Sequence, residues 1–169
     1  MKQLTTIIRY VVPPLLLCSA SFILCMLWFT LMADSRVAGI TATVIPADVL
    51  EPIITFYRVI FGPMTWLVKI FILLMLLSMT LQLTIKAIPW YIRYFIFITN
   101  APPVFMAVFH IIPLTDRFIT NTASPEMQSQ FARTIHTAHI ISVSCVAMMV
   151  VLQLLTVIRL QRGQAVSSN

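Results

Sequence analysis

Apolar residues run through this chain in four long blocks broken by short polar stretches. Between Val11 and Met32 no charged residue occurs. Further apolar blocks cover about 64–85, 92–112 and 137–158. Each block is about 20 residues long, the length an α-helix needs to cross a hydrocarbon core. The pattern predicts an all-α protein: a four-transmembrane-helix antiparallel bundle forming a single integral membrane domain over 1–169.

The polar stretches set the boundaries. Lys2 and Arg9 precede the first span, with Pro13 and Pro14 in its first turn. A positive start before an apolar run is also the signal-peptide pattern, but this run exceeds the usual h-region of about 7–15 residues, so an uncleaved helix is expected. After a loop over 33–47, Asp48-Val49-Leu50-Glu51 has the form of an N-cap with a carboxylate three residues on, and predicts a second helix from Asp48 to about Ile85, kinked at Gly62-Pro63. At about 1.5 Å per residue that helix outruns a bilayer, so its first turns, with Tyr57 and Arg58, should stand out of the membrane. Lys86, Pro89, Trp90, Tyr91 and Arg93 make a basic, aromatic turn of the kind found at membrane surfaces. Pro102 and Pro103 should bend the third span, with Asn100 as the donor for carbonyls left without amide partners. Ser124-Pro125-Glu126 reads as cap, first-turn proline and first-turn acid, starting a fourth helix that continues to about Leu160. Helices two and four should therefore extend beyond the membrane on the outer side.

Composition removes the soluble alternatives: 60% of residues are hydrophobic and 9% charged, more apolar surface than a soluble core of this size can hide. The net charge of +6 comes from single basic residues scattered between apolar runs, which excludes a nucleic-acid partner and points to a lipid bilayer. Lys2, Arg9, Lys86, Arg93, Arg159 and Arg162 fall on one side of the predicted topology, and Arg36, Arg58, Arg117 and Arg133 on the other. The positive-inside rule then makes both termini cytoplasmic, in a multi-pass protein of the cell membrane, of the bacterial inner-membrane kind. Every acid in the chain, Asp34, Asp48, Glu51, Asp116 and Glu126, lies on the outer side.

The outer side is also where the histidines are. His136 and His139 are three apart and share a helix face, while His110 closes the preceding span, one loop from Asp116. A face with two imidazoles is disfavoured against lipid, so it should turn inward, towards His110, Asp116 and the loop containing Asp34. His110, His136 and His139 have the residue types of a Zn, Cu or haem-iron site, against the plainer reading in which each imidazole is bonded separately to backbone, water or headgroups. No cofactor is specified by any motif: there is no phosphate loop, His-Glu-x-x-His or nucleophile elbow. Cys18, Cys25 and Cys145 lie inside spans with no Cys-x-x-Cys, which argues for packing rather than thiol exchange. Lys69, within the second span, is either a functional charge or a side chain that snorkels to the interface.

The order of these features resembles the anthrone-oxygenase-like group of small four-helix membrane proteins, most of whose bacterial members are uncharacterised. The resemblance runs through Pro46 to Glu51, Phe56-Tyr57-Arg58 and Gly62-Pro63, then Ile112-Pro113-Leu114-Thr115-Asp116-Arg117, and a fourth helix entered through Arg133-Thr134-Ile135-His136. Members typically have Asn where this chain has Thr115 and Arg where it has His139. The resemblance implies a pocket for an apolar or aromatic ligand and a base that forms a carbanion before oxidation, a role for which His136, with His110 or Asp116 beside it, is the candidate. Fold likeness does not transmit activity, so three classes stay open: an enzyme acting on a small apolar ligand, a haem- or metal-binding redox protein, and a non-enzymatic subunit or small transporter with a membrane-protein partner or a second copy of itself.

Overall fold

The computed structural model describes residues 2–120 and 122–167, with side chains over 8–60, 65–120 and 122–162. The chain is helical almost throughout: α1 (Lys2–Asp34), a 3-10 turn (Ser35–Val37), α2 (Ala47–Gln82), α3 (Trp90–Met106), a π turn (Ala107–Ile111), α4 (Ile112–Thr120) and α5 (Pro125–Ser167). Among the described residues four stretches are long and apolar enough to cross a membrane: Ile8–Val37, Thr65–Gln82, Trp90–Thr120 and Pro125–Arg162. The third runs without a break from α3 through the π turn into α4.

The predicted caps are realised unequally. Ser124 caps α5: its Oγ accepts from the amide of Met127 at 3.4 Å, and its carbonyl from Gln128 at 2.9 Å. Asp48 does not cap α2. Pro46 holds the cap position, its carbonyl accepting from Val49 and Leu50, and Asp48 sits in the first turn, where its charge faces the positive end of the helix dipole. At the far end α2 stops at Gln82, short of Ile85, because residues 83–85 fold into successive turns and Arg93 donates to the Leu83 carbonyl. The helix passes through residues 61–64, whose side chains fall outside the described ones, as does the expected kink at Gly62-Pro63.

Three apolar layers fill the interior. In the middle, Leu16, Ala20 and Ile23 of α1 meet Met75 and Met79 of α2, Ile96 and Val104 of α3, and Val146 and Met149 of α5. At one end Val12, Ile85 and Ile88 pack with Ile8 and Leu160. At the other, Val37, Ile45, Ile53, Tyr57, Phe118 and Ile135 close together. The first part of α1, the α5 segment around Leu160 and the 83–89 turn thus share one end, and we call the opposite one the Asp34 end. Outward faces carry Trp28, Phe29, Trp66, Leu73, Ile98, Phe105, Phe109 and Leu155, all exposed; this apolar exterior is what contact with a lipid bilayer requires.

Some buried polar side chains tie helices together, while those of Ser78, Thr115 and Gln128 have no hydrogen-bond partner among the described residues. Gln82 and Gln153 exchange two amide hydrogen bonds, at 3.0 and 2.9 Å, and Gln153 also donates to the Pro13 carbonyl at 3.0 Å, joining α1, α2 and α5. Asn100 donates to the Ile96 carbonyl at 3.0 Å. That is not one of the carbonyls deprived by Pro102 and Pro103, which would be those of Ile98 and Thr99. Lys69 is exposed, and Cys18 and Cys25 point outward rather than into the packing.

The Asp34 end is laced by two arginines. The Arg58 guanidinium donates to the Ile119 carbonyl at 2.9 Å, tying α2 to α4. Arg133 donates to the carbonyls of Ile40, Ala42 and Thr43, and Ser129 Oγ accepts from the Ile45 amide at 2.8 Å, so α5 holds the 38–46 loop down. That loop reverses at Gly39, whose φ of 82° is open to glycine at no steric cost.

Candidate functional site

Asp34 is the last residue of α1, where the apolar helix gives way to the loop, and it is 1% exposed. A carboxylate so buried is costly unless it is neutralised or fully hydrogen-bonded. Its two oxygens are used separately. Oδ1 lies 3.1 Å from Nδ1 of His136, and Oδ2 lies 2.7 Å from Nδ1 of His139. The Tyr57 hydroxyl donates to Oδ2 at 3.0 Å and stands 3.2 Å from the same imidazole nitrogen. Three helices therefore meet on one carboxylate: α1 supplies it, α2 the phenol and α5 both imidazoles.

Helical spacing accounts for the convergence. Residues 135, 138, 139, 142 and 146 form the buried stripe of α5, and His136, one position round from Ile135, stands at the edge of that stripe. Tyr57 lies on the α2 face with Ile53 and Leu50, all buried. Burial, reinforced by the adjacent Asp34 charge and the hydrogen bond to it, raises the Tyr57 pKa well above that of a free phenol. The hydroxyl stays protonated and serves as a fixed donor.

Tautomer follows from these bonds. The 2.7 Å contact to Oδ2 calls for a proton on Nδ1 of His139; in a neutral imidazole the lone pair is then on Nε2, the arrangement in which a carboxylate orients an imidazole as a base. His139 also lines a partly open cavity of about 90 Å³ between all the long helices. The cavity walls are apolar, from Ile23, Leu27, Val68, Met75, Val104 and Ile111, with Ser142 one turn along α5 from His139. The Ser142 side chain makes no hydrogen bond to the described residues. The site is thus an oil-like chamber lined by one oriented imidazole and the hydroxyls of Ser142, Thr30 and Thr65, that of Thr30 being bonded back to its own helix.

The π turn contributes directly, since Ala107 and Ile111 both line the cavity. A π turn holds an extra residue, and a residue in an α-helix advances the direction of side chains by about 100°. Ile111 is buried and His110 faces out, exposed and without a hydrogen bond among the described residues.

The site differs from the sequence-based expectation in its membership. His136 and His139 meet, as their spacing suggests, but His110 does not join them and does not line the cavity. Asp116 is exposed on α4 with no ion pair among the described residues, and the carboxylate that receives both imidazoles is Asp34. The expected metal trio of His110, His136 and His139 does not form: among the described residues no three His, Cys, Asp or Glu side chains are grouped to hold an ion. The two imidazoles converge on an anion through Nδ1 instead of on a common point for a cation. Tyr57 was legible only as a residue standing outside the span. One signal for Asp34 is its position, an acid at the end of α1 that closes a run with no charge since Arg9.

Comparison of the chain with protein families, with curated proteins and with solved structures finds no match.

Proposed function

We propose that this chain is a multi-pass cell-membrane protein that binds a small apolar or aromatic ligand within the helices and acts on it through His139 as a base held by Asp34. The carrying observation is that one side chain does both things: His139 lines the apolar cavity and gives its Nδ1 to a buried carboxylate. An imidazole that lines an apolar chamber and is oriented through Nδ1 by a carboxylate suits proton removal from a lipophilic substrate, the step that the resemblance to anthrone-oxygenase-like proteins also implies. Size narrows the ligand. A dry cavity that accepts benzene is about 150 Å³, so a partly open chamber of about 90 Å³ holds only part of one ring or the end of a slender molecule, the rest lying in its mouth, and a three-ring anthrone enters fully only if the helices part.

In this reading the helices form an antiparallel bundle, α2 and α5 extend past the bilayer at the Asp34 end, and both termini are cytoplasmic. Support comes from the charges: the end with the termini has basic residues and no acid, while all five acids belong to the other. The test is to purify the full chain in mild detergent, extract it with organic solvent and identify what co-purifies by mass spectrometry. An apolar compound retained by the wild type and lost in His139→Gln and Ser142→Leu supports the reading. Equal recovery from all three proteins refutes it.

A further inference from the structure

The two oxygens of Asp34 serve imidazoles in different surroundings. The His139 side chain is 6% exposed and faces the cavity; that of His136 is 13% exposed. His136 lies one turn after Arg133, whose guanidinium is spread over the carbonyls of the 38–46 loop, so it stands on the loop side of the cluster. A base that takes a proton inside an apolar chamber creates a charge that is expensive to leave there. His139 has one neighbour able to take that charge onward, and the neighbour's second oxygen points at the more exposed imidazole.

We propose that Asp34 passes protons between His139 and His136, connecting the cavity to water at the loop end, and that the cavity ligand is a membrane-dissolved molecule with an acidic hydroxyl, of the phenol or enol class. This rests on the cavity reading above. Chains of Asp and His are the usual proton relays within membrane proteins. The ligand hydroxyl gives its proton to Nε2 of His139, while the Nδ1 proton of His139 moves to Oδ2 of Asp34. The proton shared between Oδ1 of Asp34 and Nδ1 of His136 passes fully to Nδ1, His136 starting with a second proton on Nε2. That Nε2 proton goes to water. One proton enters and one leaves, the ligand becomes its anion, both imidazoles end neutral with exchanged tautomers, and no electrons move. Tyr57, kept protonated by burial, holds Oδ2 and offers no branch. Asp34 from α1 and Tyr57 from α2 are the titratable side chains bonded to the two imidazoles.

The Ser142 hydroxyl fits the same ligand class, since it can accept from or donate to a phenolic oxygen held at His139. The probe is 4-nitrophenol, one ring with a coloured anion, added to the full chain in detergent. The rate at which the bound probe changes colour after a laser pH jump reads the relay. His136→Asn keeps an amide able to bond Oδ1 but cannot carry a proton, and it should slow the response by about 100-fold while leaving probe affinity unchanged. In His136→Ala, free imidazole should restore the rate. An unchanged rate in His136→Asn overturns the relay and leaves the cavity reading standing; failure of nitrophenol to bind the wild type overturns both. If neither variant folds, ¹⁵N-histidine spectra of the wild type decide: the probe should shift the ring nitrogens of both His139 and His136, and a shift confined to His139 overturns the relay.

Discussion

Removing the Asp34 carboxylate should be among the most damaging single changes in the chain. In Asp34→Ala, His136, His139 and the Tyr57 hydroxyl each lose a partner at an almost dry position. Breaking a buried charge cluster by deleting one member costs about 3–5 kcal/mol. For a chain of this length 1 kcal/mol moves the melting temperature by about 2–4 °C, so the loss should be about 6–20 °C. Asp34→Asn should fall less, because its amide oxygen still accepts from one donor and either imidazole can change tautomer to receive from its NH2 group. The informative partner is the wholly apolar replacement, Asp34→Leu with Tyr57→Phe, His136→Leu and His139→Leu. With no polar group left unpaired it should recover most of the loss, since apolar replacements of buried ion clusters are often neutral or stabilising. Thermal unfolding of the three proteins in one detergent measures all of this. A drop of less than about 1 kcal/mol in Asp34→Ala, the range of exposed pairs, would show that water reaches the cluster and that the burial argument is wrong.

Gln153→Leu should destabilise by about 1–3 kcal/mol, because it leaves the Gln82 amide unpaired in the interior, and Gln82→Leu added to it should return part of that loss in the same melting assay. Alkaline titration should show Tyr57 directly. Its pKa in the fold lies above the unfolded value near 10, so above about pH 10 the unfolded chain ionises first and stability falls by up to about 1.4 kcal/mol per pH unit. Tyr57→Phe should flatten that slope, as read from melting temperatures across the alkaline range. His110→Ala should change stability by no more than about 0.5 kcal/mol and leave nitrophenol binding intact, since His110 is exposed and touches neither Asp34 nor the cavity. A strong loss of binding would return it to the site.

What the sequence determined was set by length and by local chemistry. Four apolar runs of about 20 residues fix four helices, because a backbone in lipid must satisfy its own hydrogen bonds. Ser124 before Pro125 fixes the start of α5 because a hydroxyl and a missing amide act within one turn. The i, i+3 spacing of His136 and His139 places both imidazoles at one side of α5 whatever surrounds it. Their partner was a different matter. Asp34 lies 102 residues from His136 and Tyr57 lies 82 from His139, and pairing them depends on how α1 and α2 rotate and slide against α5. That rotation is decided by the packing of side chains from several helices at once, as in the layer where Tyr57, Phe118 and Ile135 close together. The π turn is the clearest case. Nothing in Ala107-Val108-Phe109-His110-Ile111 announces an extra residue in the turn, yet it is at this turn that Ile111 is buried against the cavity and His110 faces out, so the third histidine left the site for a reason that exists only in three dimensions.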